Sequence, residues 1–140
     1  MRVLLDTNVV LDVLLDRKAF VNDSARLFDM VERGAITGLL CATTITTLAY
    51  LAGKAVGKRQ ATQQIRQLLT LFEVAPVTRA VLDAALASKA PDFEDAVLAE
   101  AALQAGAQAI ITRNLRDFAK SPVPAHTPAQ WRAMHADDQA

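Results

Sequence analysis

The chain has 140 residues, of which 52% are hydrophobic and 21% charged, and its formal net charge is zero. A globular domain of this length buries roughly 68–70% of the surface that its unfolded chain exposes. No apolar run approaches the roughly 18 residues of a membrane-spanning helix, the first residues lack a secretory signal, and the lone Cys41 cannot form an internal disulfide. These features exclude a membrane protein and favour a cytoplasmic one. We predict a single domain over residues 1–134 and a frayed tail at 135–140.

The predicted elements alternate between strands and helices along the chain. Short apolar runs before turn residues predict strands at residues 2–5, 37–42, 73–77, 109–112 and 123–126. Apolar residues at helical spacing behind polar caps predict helices at residues 8–15, 22–33, 43–53, 59–72, 78–89, 92–106 and from 127 onward. Asn8 is the expected N-cap of the first helix. This alternation predicts an α/β fold, a three-layer α/β/α sandwich with a mainly parallel central sheet.

Polar side chains directly follow two of the predicted strands. Asp6 follows the first strand, and Asn114 and Asp117 follow the fourth. Ligands of parallel sheets bind at the carboxyl ends of the strands, near a topological switch point. We therefore expect these residues to meet at one edge of the sheet. As the alternative, Asn114 and Asp117 are also good turn residues.

The segment PDFEDAVLAEAALQAG adds carboxylates at a helix N-terminus. Asp92 is the expected N-cap, with Asp95 at the capping-box position. Glu94 and Asp95 precede the apolar stripe of Val97 and Leu98 by about one helical turn. We expect Glu94 to point along that stripe and Asp95 to lie on its flank. The alternative is that both acids only complement the helix dipole, a stabilisation of about 0.3–1 kcal/mol.

Three or four converging carboxylates would repel one another strongly. Two unit charges 4 Å apart repel by about 4 kcal/mol at an effective dielectric near 20, so three such pairs would cost about as much as a whole domain's stability of roughly 5–15 kcal/mol. A raised pKa or a bound cation must relieve this repulsion. Because no Cys or His stands at ligand spacing, oxygen ligands with water favour Mg²⁺ or Mn²⁺. Such an ion can activate a water and stabilise the charge of a phosphodiester undergoing hydrolysis.

Three blocks in this order, LLDTNVVLD, FEDAVLAEAAL and IITRNLRDF, resemble the PIN domain family, and most closely its VapC-like toxin nucleases. The resemblance implies a Mg²⁺- or Mn²⁺-dependent endoribonuclease that cleaves RNA. By position, Asp6, Asp95 and Asp117 would be the metal ligands, Asn114 would orient the Asp117 loop or a ligand water, and Thr7, Asn8 and Thr112 would donate supporting hydrogen bonds. It also implies a homodimer and, for a toxin, a cognate antitoxin protein.

The chain departs from the commonest toxin pattern at one position. TTLAYLAG places Tyr50 where those proteins carry a Glu in the helix after the second strand. Glu94 or a water would then take the place of that carboxylate. Tyr50 also favours an alternative function, a catalytically inactive PIN-fold module that binds RNA or a protein. A phospho-acceptor domain is disfavoured, because Thr7 and Asn8 follow Asp6 where a second acid would be needed.

Charge is unevenly distributed along the chain. Residues 33–72 contain five basic residues and no acidic one: Arg33, Lys54, Lys58, Arg59 and Arg66. Such a segment is typical of either a solvated helix face or a contact with the RNA backbone.

Five other side chains receive no catalytic role. We expect Asp12 and Asp16 to face solvent and His126 and His135 to be non-catalytic. Trp131 is expected in the core or at an interface.

Overall fold

The computed structural model describes residues 1–135 and places a five-stranded sheet at the centre of the protein. The strands are β1 Arg2–Leu5, β2 Thr37–Cys41, β3 Glu73–Ala75, β4 Ala109–Ile111 and β5 Ala125–His126. The sheet order is β3-β2-β1-β4-β5, and each of the four pairings is parallel. The predicted tail begins at His135 and otherwise lies outside the described residues.

Helices cover both faces of the sheet. They are α1 Thr7–Leu14, α2 Val21–Glu32, α3 Ala42–Val56, α4 Lys58–Leu71, α5 Arg79–Ala87, α6 Phe93–Gln104 and α7 Pro128–Met134, with a 3₁₀ turn at Leu115–Phe118. None of the helices within residues 1–135 has the length and hydrophobicity to cross a membrane. The predicted α/β sandwich with a parallel sheet is confirmed.

Alternation along the central strands divides the core into two layers. Val3 and Leu5 of β1 pack on one face with residues of α1, α2, α3, α4 and α7. Leu4 packs on the other face with residues of α5 and α6. All three side chains are fully buried, as expected for a parallel strand covered on both faces. Trp131 lies in the first layer and is therefore a core residue.

The N-cap residues of the helices can be compared with those predicted from the sequence. The Thr78 and Asp92 side chains accept hydrogen bonds from Val81 N and Asp95 N, as predicted. The last helix begins after Thr127, as predicted, and the structure adds a capping box between Thr127 and Gln130. The expected Asn8 cap of α1 is wrong, because Asp6 is the N-cap. The interpretation overlooked that a residue ending a strand can cap the following helix without an intervening loop.

Two predicted boundaries also shift. The predicted bounds of α3, residues 43–53, are too narrow, since α3 begins at Ala42 directly after β2 and continues past Gly53 to Val56. Gly38 in β2 leaves room for the Phe72 ring, because a Cβ at this position would lie 2.6 Å from ring atoms of Phe72. Phe72 directly follows α4 and is buried against the first core layer.

Candidate active site

The candidate site lies at the carboxyl ends of β1 and β4, which are neighbours in the sheet. Asp6 directly follows β1, and Thr112 directly follows β4. The Asp6 amide donates a 2.8 Å hydrogen bond to the Ile111 carbonyl, which continues the pairing of the two strands by one residue. Because the chain leaves β1 toward β2 on one side and β4 lies on the other, this point is the topological switch of the sheet.

Hydrogen bonds hold both oxygens of the Asp6 carboxylate. Oδ1 accepts a 2.8 Å bond from the Thr7 amide. Oδ2 accepts a 2.8 Å bond from Thr112 Oγ1 and a 3.3 Å bond from Asn8 Nδ2. The carboxylate is therefore held by residues that follow two different strands: Thr7 and Asn8 after β1, and Thr112 after β4.

Burial and neighbouring acids raise the pKa of Asp6. The residue is 9% exposed, and its removal from water is the largest cause of the shift. The hydrogen bonds from Thr112 and Thr7 act in the opposite direction, while the charges of Asp117 and Glu94 raise the pKa further. The site therefore concentrates negative charge in a poorly solvated place.

The first turn of α6 contributes the second carboxylate of this group. Asp95 is half-buried, and burial raises its pKa to about 6, with further contributions from the charges of Asp92, Asp117, Asp6 and Glu94. Helix α6 contacts both β4 and the 3₁₀ turn that carries Asp117. Asp92 caps the helix through Asp95 N at 2.9 Å.

Glu94 does not point inward as expected. It is exposed, as is the preceding Phe93 at 49%, while Val97 and Leu98 one turn later are buried as predicted. The buried stripe of α6 therefore begins after Glu94 and does not include it. Its charge nevertheless raises the pKa of both Asp6 and Asp95.

The loop after β4 positions Asp117. The Asn114 amide donates a 3.0 Å hydrogen bond to Thr112 Oγ1, and the Asn114 carbonyl accepts one of 3.1 Å from the Asp117 amide. Asn114 itself is exposed and Asp117 is half-buried in the 3₁₀ turn. Thr112 Oγ1 thus connects this loop to the Asp6 carboxylate, because the same hydroxyl donates a hydrogen bond to Asp6 Oδ2.

Asp12 is a residue whose importance the sequence interpretation missed. The expectation that it faces solvent is wrong, since it is fully buried. Its carboxylate accepts bonds of 2.7 and 3.3 Å from Arg113 Nε and Nη2, and Arg17 Nη1 lies 3.5 Å away. The Arg113 amide in turn donates to Asn8 Oδ1 at 3.3 Å. The Asp12–Arg113 pair therefore fixes the loop after β4 against α1, and Asn8 connects this loop to Asp6 through its two hydrogen bonds. Asp16 is exposed, as expected, and pairs with Lys18.

A PIN domain model matches residues 2–116 of the chain. The chain belongs to the PIN domain family. The resemblance found in the three sequence blocks is thereby confirmed. No curated protein matches the sequence.

Solved structures share the fold of this PIN domain. VapBC from Salmonella typhimurium bound to DNA matches with a TM-score of 0.72 and 17% identity over 91% of this chain and 98% of that one. VapBC2 from Rickettsia felis bound to a promoter DNA fragment matches with a TM-score of 0.69 and 15% identity, again over 91% and 98%. A toxin–antitoxin complex from Klebsiella pneumoniae matches with a TM-score of 0.67 and 21% identity over 90% and 97%.

The donor set of this PIN domain suits a hard cation held partly by water. Within residues 1–135, no group of three or more His, Cys, Asp or Glu side chains is arranged to enclose a metal ion. Mg²⁺ is commonly bound through one or two carboxylates with several waters retained. The Asp6 and Asp95 oxygens, with raised pKa values and acidic neighbours, fit such an open site.

Tyr50 lies on α3 and is 62% exposed. Lys54 Nζ stands 4.6 Å from the centre of the Tyr50 ring. The first turn of α3 reaches the site instead, because Thr44 Oγ1 lies 3.1 Å from Thr7 Oγ1. His135 stacks on Trp131 with ring centres 3.9 Å apart, and His126 also contacts that ring, so both histidines have packing roles.

Proposed function

We propose that this PIN domain is a metal-dependent endoribonuclease that hydrolyses RNA phosphodiester bonds. The observation that carries the proposal is the group of carboxylates at the β1–β4 edge, where burial and mutual repulsion raise the pKa of Asp6 and of Asp95. Perturbed acids at a topological switch point favour catalysis over a structural role. Asp6, Asp95 and Asp117 would hold Mg²⁺ or Mn²⁺ together with water.

The acidic residues of the site would have different roles in holding the ion. Asp6 is the fixed ligand, because three hydrogen bonds hold its oxygens. Asp95 and Asp117 are less buried and would complete the oxygen set, while the exposed Glu94 would orient water at its margin. A bound divalent ion would supply an activated water and offset the charge of the phosphodiester.

We also propose that the protein is the toxin of a toxin–antitoxin pair, acting in the cytoplasm as a homodimer. Solved complexes of two toxin–antitoxin systems, those from Salmonella and Klebsiella, support this part of the proposal through their shared fold. An antitoxin would be the natural regulator of such a nuclease. Light scattering on the purified chain, alone and co-expressed with the product of an adjacent reading frame, tests both partners.

Cleavage of labelled RNA tests the enzymatic activity. We expect the wild type to cleave with Mg²⁺ or Mn²⁺ and to stop when EDTA is added. Asp6→Asn should lower the rate by more than about 100-fold, since loss of even an outer partner of a metal ligand commonly costs 10–100-fold. Asp16→Asn makes the same chemical change on an exposed residue and should leave the rate unchanged.

The second candidate function is a catalytically inactive module that binds RNA or a protein. Tyr50 in place of the usual Glu favours it, as does the open arrangement of the carboxylates. Failure of the wild type to cleave RNA with either metal, while it still binds RNA in a gel-shift assay, would establish this candidate and exclude the nuclease.

A further inference from the structure

An open groove lies between α3 and α4 and encloses about 700 Å³. Its walls come from both helices: Ala49, Tyr50, Gly53 and Lys54 from α3, and Lys58, Ala61, Thr62, Ile65 and Arg66 from α4. We refer to this set as the α3–α4 groove. A shallower depression continues from it along α4 and is lined by Lys58, Arg59, Thr62, Gln63 and Arg66.

The groove carries a concentrated positive charge. Lys54, Lys58 and Arg66 line it, and all three are exposed. They belong to the forty-residue segment that contains five basic residues and no acidic one, so the two helices provide no carboxylate of their own to neutralise them. A surface of this kind attracts a polyanion and loses affinity for it as salt rises.

Tyr50 gives the groove an aromatic surface beside its charges. Tyr50 is the only tyrosine of the sequence, and the residue is 62% exposed. A single nucleic acid strand is typically bound by a basic groove that follows the backbone and by aromatic rings on which bases stack. Lys54 Nζ lies over one face of the Tyr50 ring, 4.6 Å from its centre, so a base that stacks on Tyr50 would take the opposite face or displace this ammonium toward its phosphate.

The groove is connected to the candidate active site through α3. Helix α3 begins at Ala42, directly after β2, and Thr44 in its first turn contacts Thr7 next to Asp6. Tyr50 and Lys54 follow Thr44 by six and ten residues, which places them about 9 and 15 Å further along the helix axis. The groove therefore begins within about two helical turns of the residue through which α3 contacts the site.

We propose that the α3–α4 groove binds the single-stranded RNA substrate, with Lys54, Lys58 and Arg66 on its phosphates and Tyr50 stacked on a base. The inference rests on the proposed nuclease function, to which it adds the surface that holds the substrate. An acidic protein segment would share the attraction to the cations. RNA is favoured because an exposed aromatic ring accompanies the charges on the helix that leads to the acidic site.

Fluorescence anisotropy with a labelled single-stranded RNA of about 16 nucleotides, the upper end of common site sizes, tests the groove. EDTA prevents cleavage during the measurement. Lys58→Glu/Arg66→Glu should weaken binding by at least about tenfold near 0.1 M salt and reduce the slope of log K against log salt by about 1.4, since each phosphate contact to a single strand contributes about 0.7. Tyr50→Ala should weaken binding about tenfold, and Tyr50→Phe should restore it.

The matched control is Lys18→Glu/Arg26→Glu, which changes the net charge equally at exposed positions outside the groove. It should bind RNA nearly as well as the wild type. Equal losses in the two double variants, or an unchanged affinity in the groove variant, would overturn the proposal. If the groove variant loses only the binding of a labelled polyglutamate peptide, the groove belongs to a protein partner and the RNA assignment is wrong.

The two proposals fail separately in these experiments. A wild type that cleaves RNA, together with groove variants of unchanged RNA affinity, rejects the groove and retains the nuclease. A wild type that does not cleave, together with groove variants that lose RNA affinity, supports the groove and rejects the nuclease.

Discussion

At the scale of a single residue, the position that brings the Asp95 carboxylate to the site also makes its charged form unfavourable. Its half-buried position at the start of α6 brings a carboxylate to the site, and the same burial raises its pKa to about 6. The charges of Asp92, Asp117, Asp6 and Glu94 act in the same direction. Without a cation, the charged form of this group therefore opposes folding.

This conflict predicts how stability depends on pH. The folded pKa of Asp95 lies near 6 and its ordinary value is 3.8, so the folded state binds more protons than the unfolded chain between these values. Because ionisation is costlier in the folded state, the free energy of unfolding should fall as pH rises through this window. In Asp95→Asn, the free energy of unfolding should fall less over the same pH range. The remaining decrease is due to Asp6, whose pKa is also raised.

Urea unfolding in EDTA at a series of pH values from about 4 to about 8, the range in which such linkage acts, measures the effect. Asp83→Asn on α5 is a suitable control, since this carboxylate is exposed and pairs only with the neighbouring exposed Arg79 at 3.5 Å in the described chain. Parallel pH profiles for the wild type and Asp95→Asn would show that Asp95 ionises equally easily in both states.

At the scale of elements, the Asp12–Arg113 ion pair connects α1 to the loop that carries Asn114 and Asp117. Asp12 is fully buried, and the Arg113 side chain is 26% exposed. Removing one partner of a buried pair costs about 3–5 kcal/mol, because the other charge remains without compensation. We expect Asp12→Ala to lower the free energy of unfolding by about 3 kcal/mol, at the lower end because water reaches Arg113.

Chemical denaturation of Asp12→Ala measures this loss, and Asp83→Ala is the control. Exposed ion pairs contribute about 0–1 kcal/mol, so Asp83→Ala should be nearly neutral. A cost for Asp12→Ala as small as that of the control would contradict the structural role of the pair.

Local sequence patterns predicted most elements because their signals are contained within a few residues. β1 is confirmed over Arg2–Leu5, and Thr78, Asp92 and Thr127 cap their helices as expected. The pattern failed for α1, where four consecutive residues in the middle of the helix, Val9 to Asp12, are buried. Asp12 is buried because its partner, Arg113, comes from a loop 101 residues away. No helical periodicity contains that information.

At the scale of the whole molecule, the parallel sheet explains why distant segments meet. β1 and β4 are neighbours, so Asp6 and Thr112 form a 2.8 Å hydrogen bond across 106 residues of sequence. The rule that ligands bind at the carboxyl ends of strands allowed the sequence to predict this edge. It did not predict that Glu94 is exposed, because helical periodicity does not show where neighbouring elements stop covering a helix.

The distribution of charge also has meaning only for the whole molecule. The acidic residues of the site come from the two ends of the chain, whereas the basic residues of the α3–α4 groove come from its middle. If both proposals hold, folding places an anionic site for a cation and a cationic groove for a polyanion on one molecule. A chain of zero net charge would thereby bind both a metal ion and RNA.

A crystal structure of the protein grown with Mn²⁺ tests the central claim most directly, since the anomalous signal locates the ion independently of any activity. We predict one ion or more at the carboxyl ends of β1 and β4, in contact with Asp6 and at least one of Asp95 and Asp117, with water as the remaining ligands. Asp6→Asn should lose the signal. An ion that contacts none of these three carboxylates, or a site left empty at saturating Mn²⁺, would contradict the account.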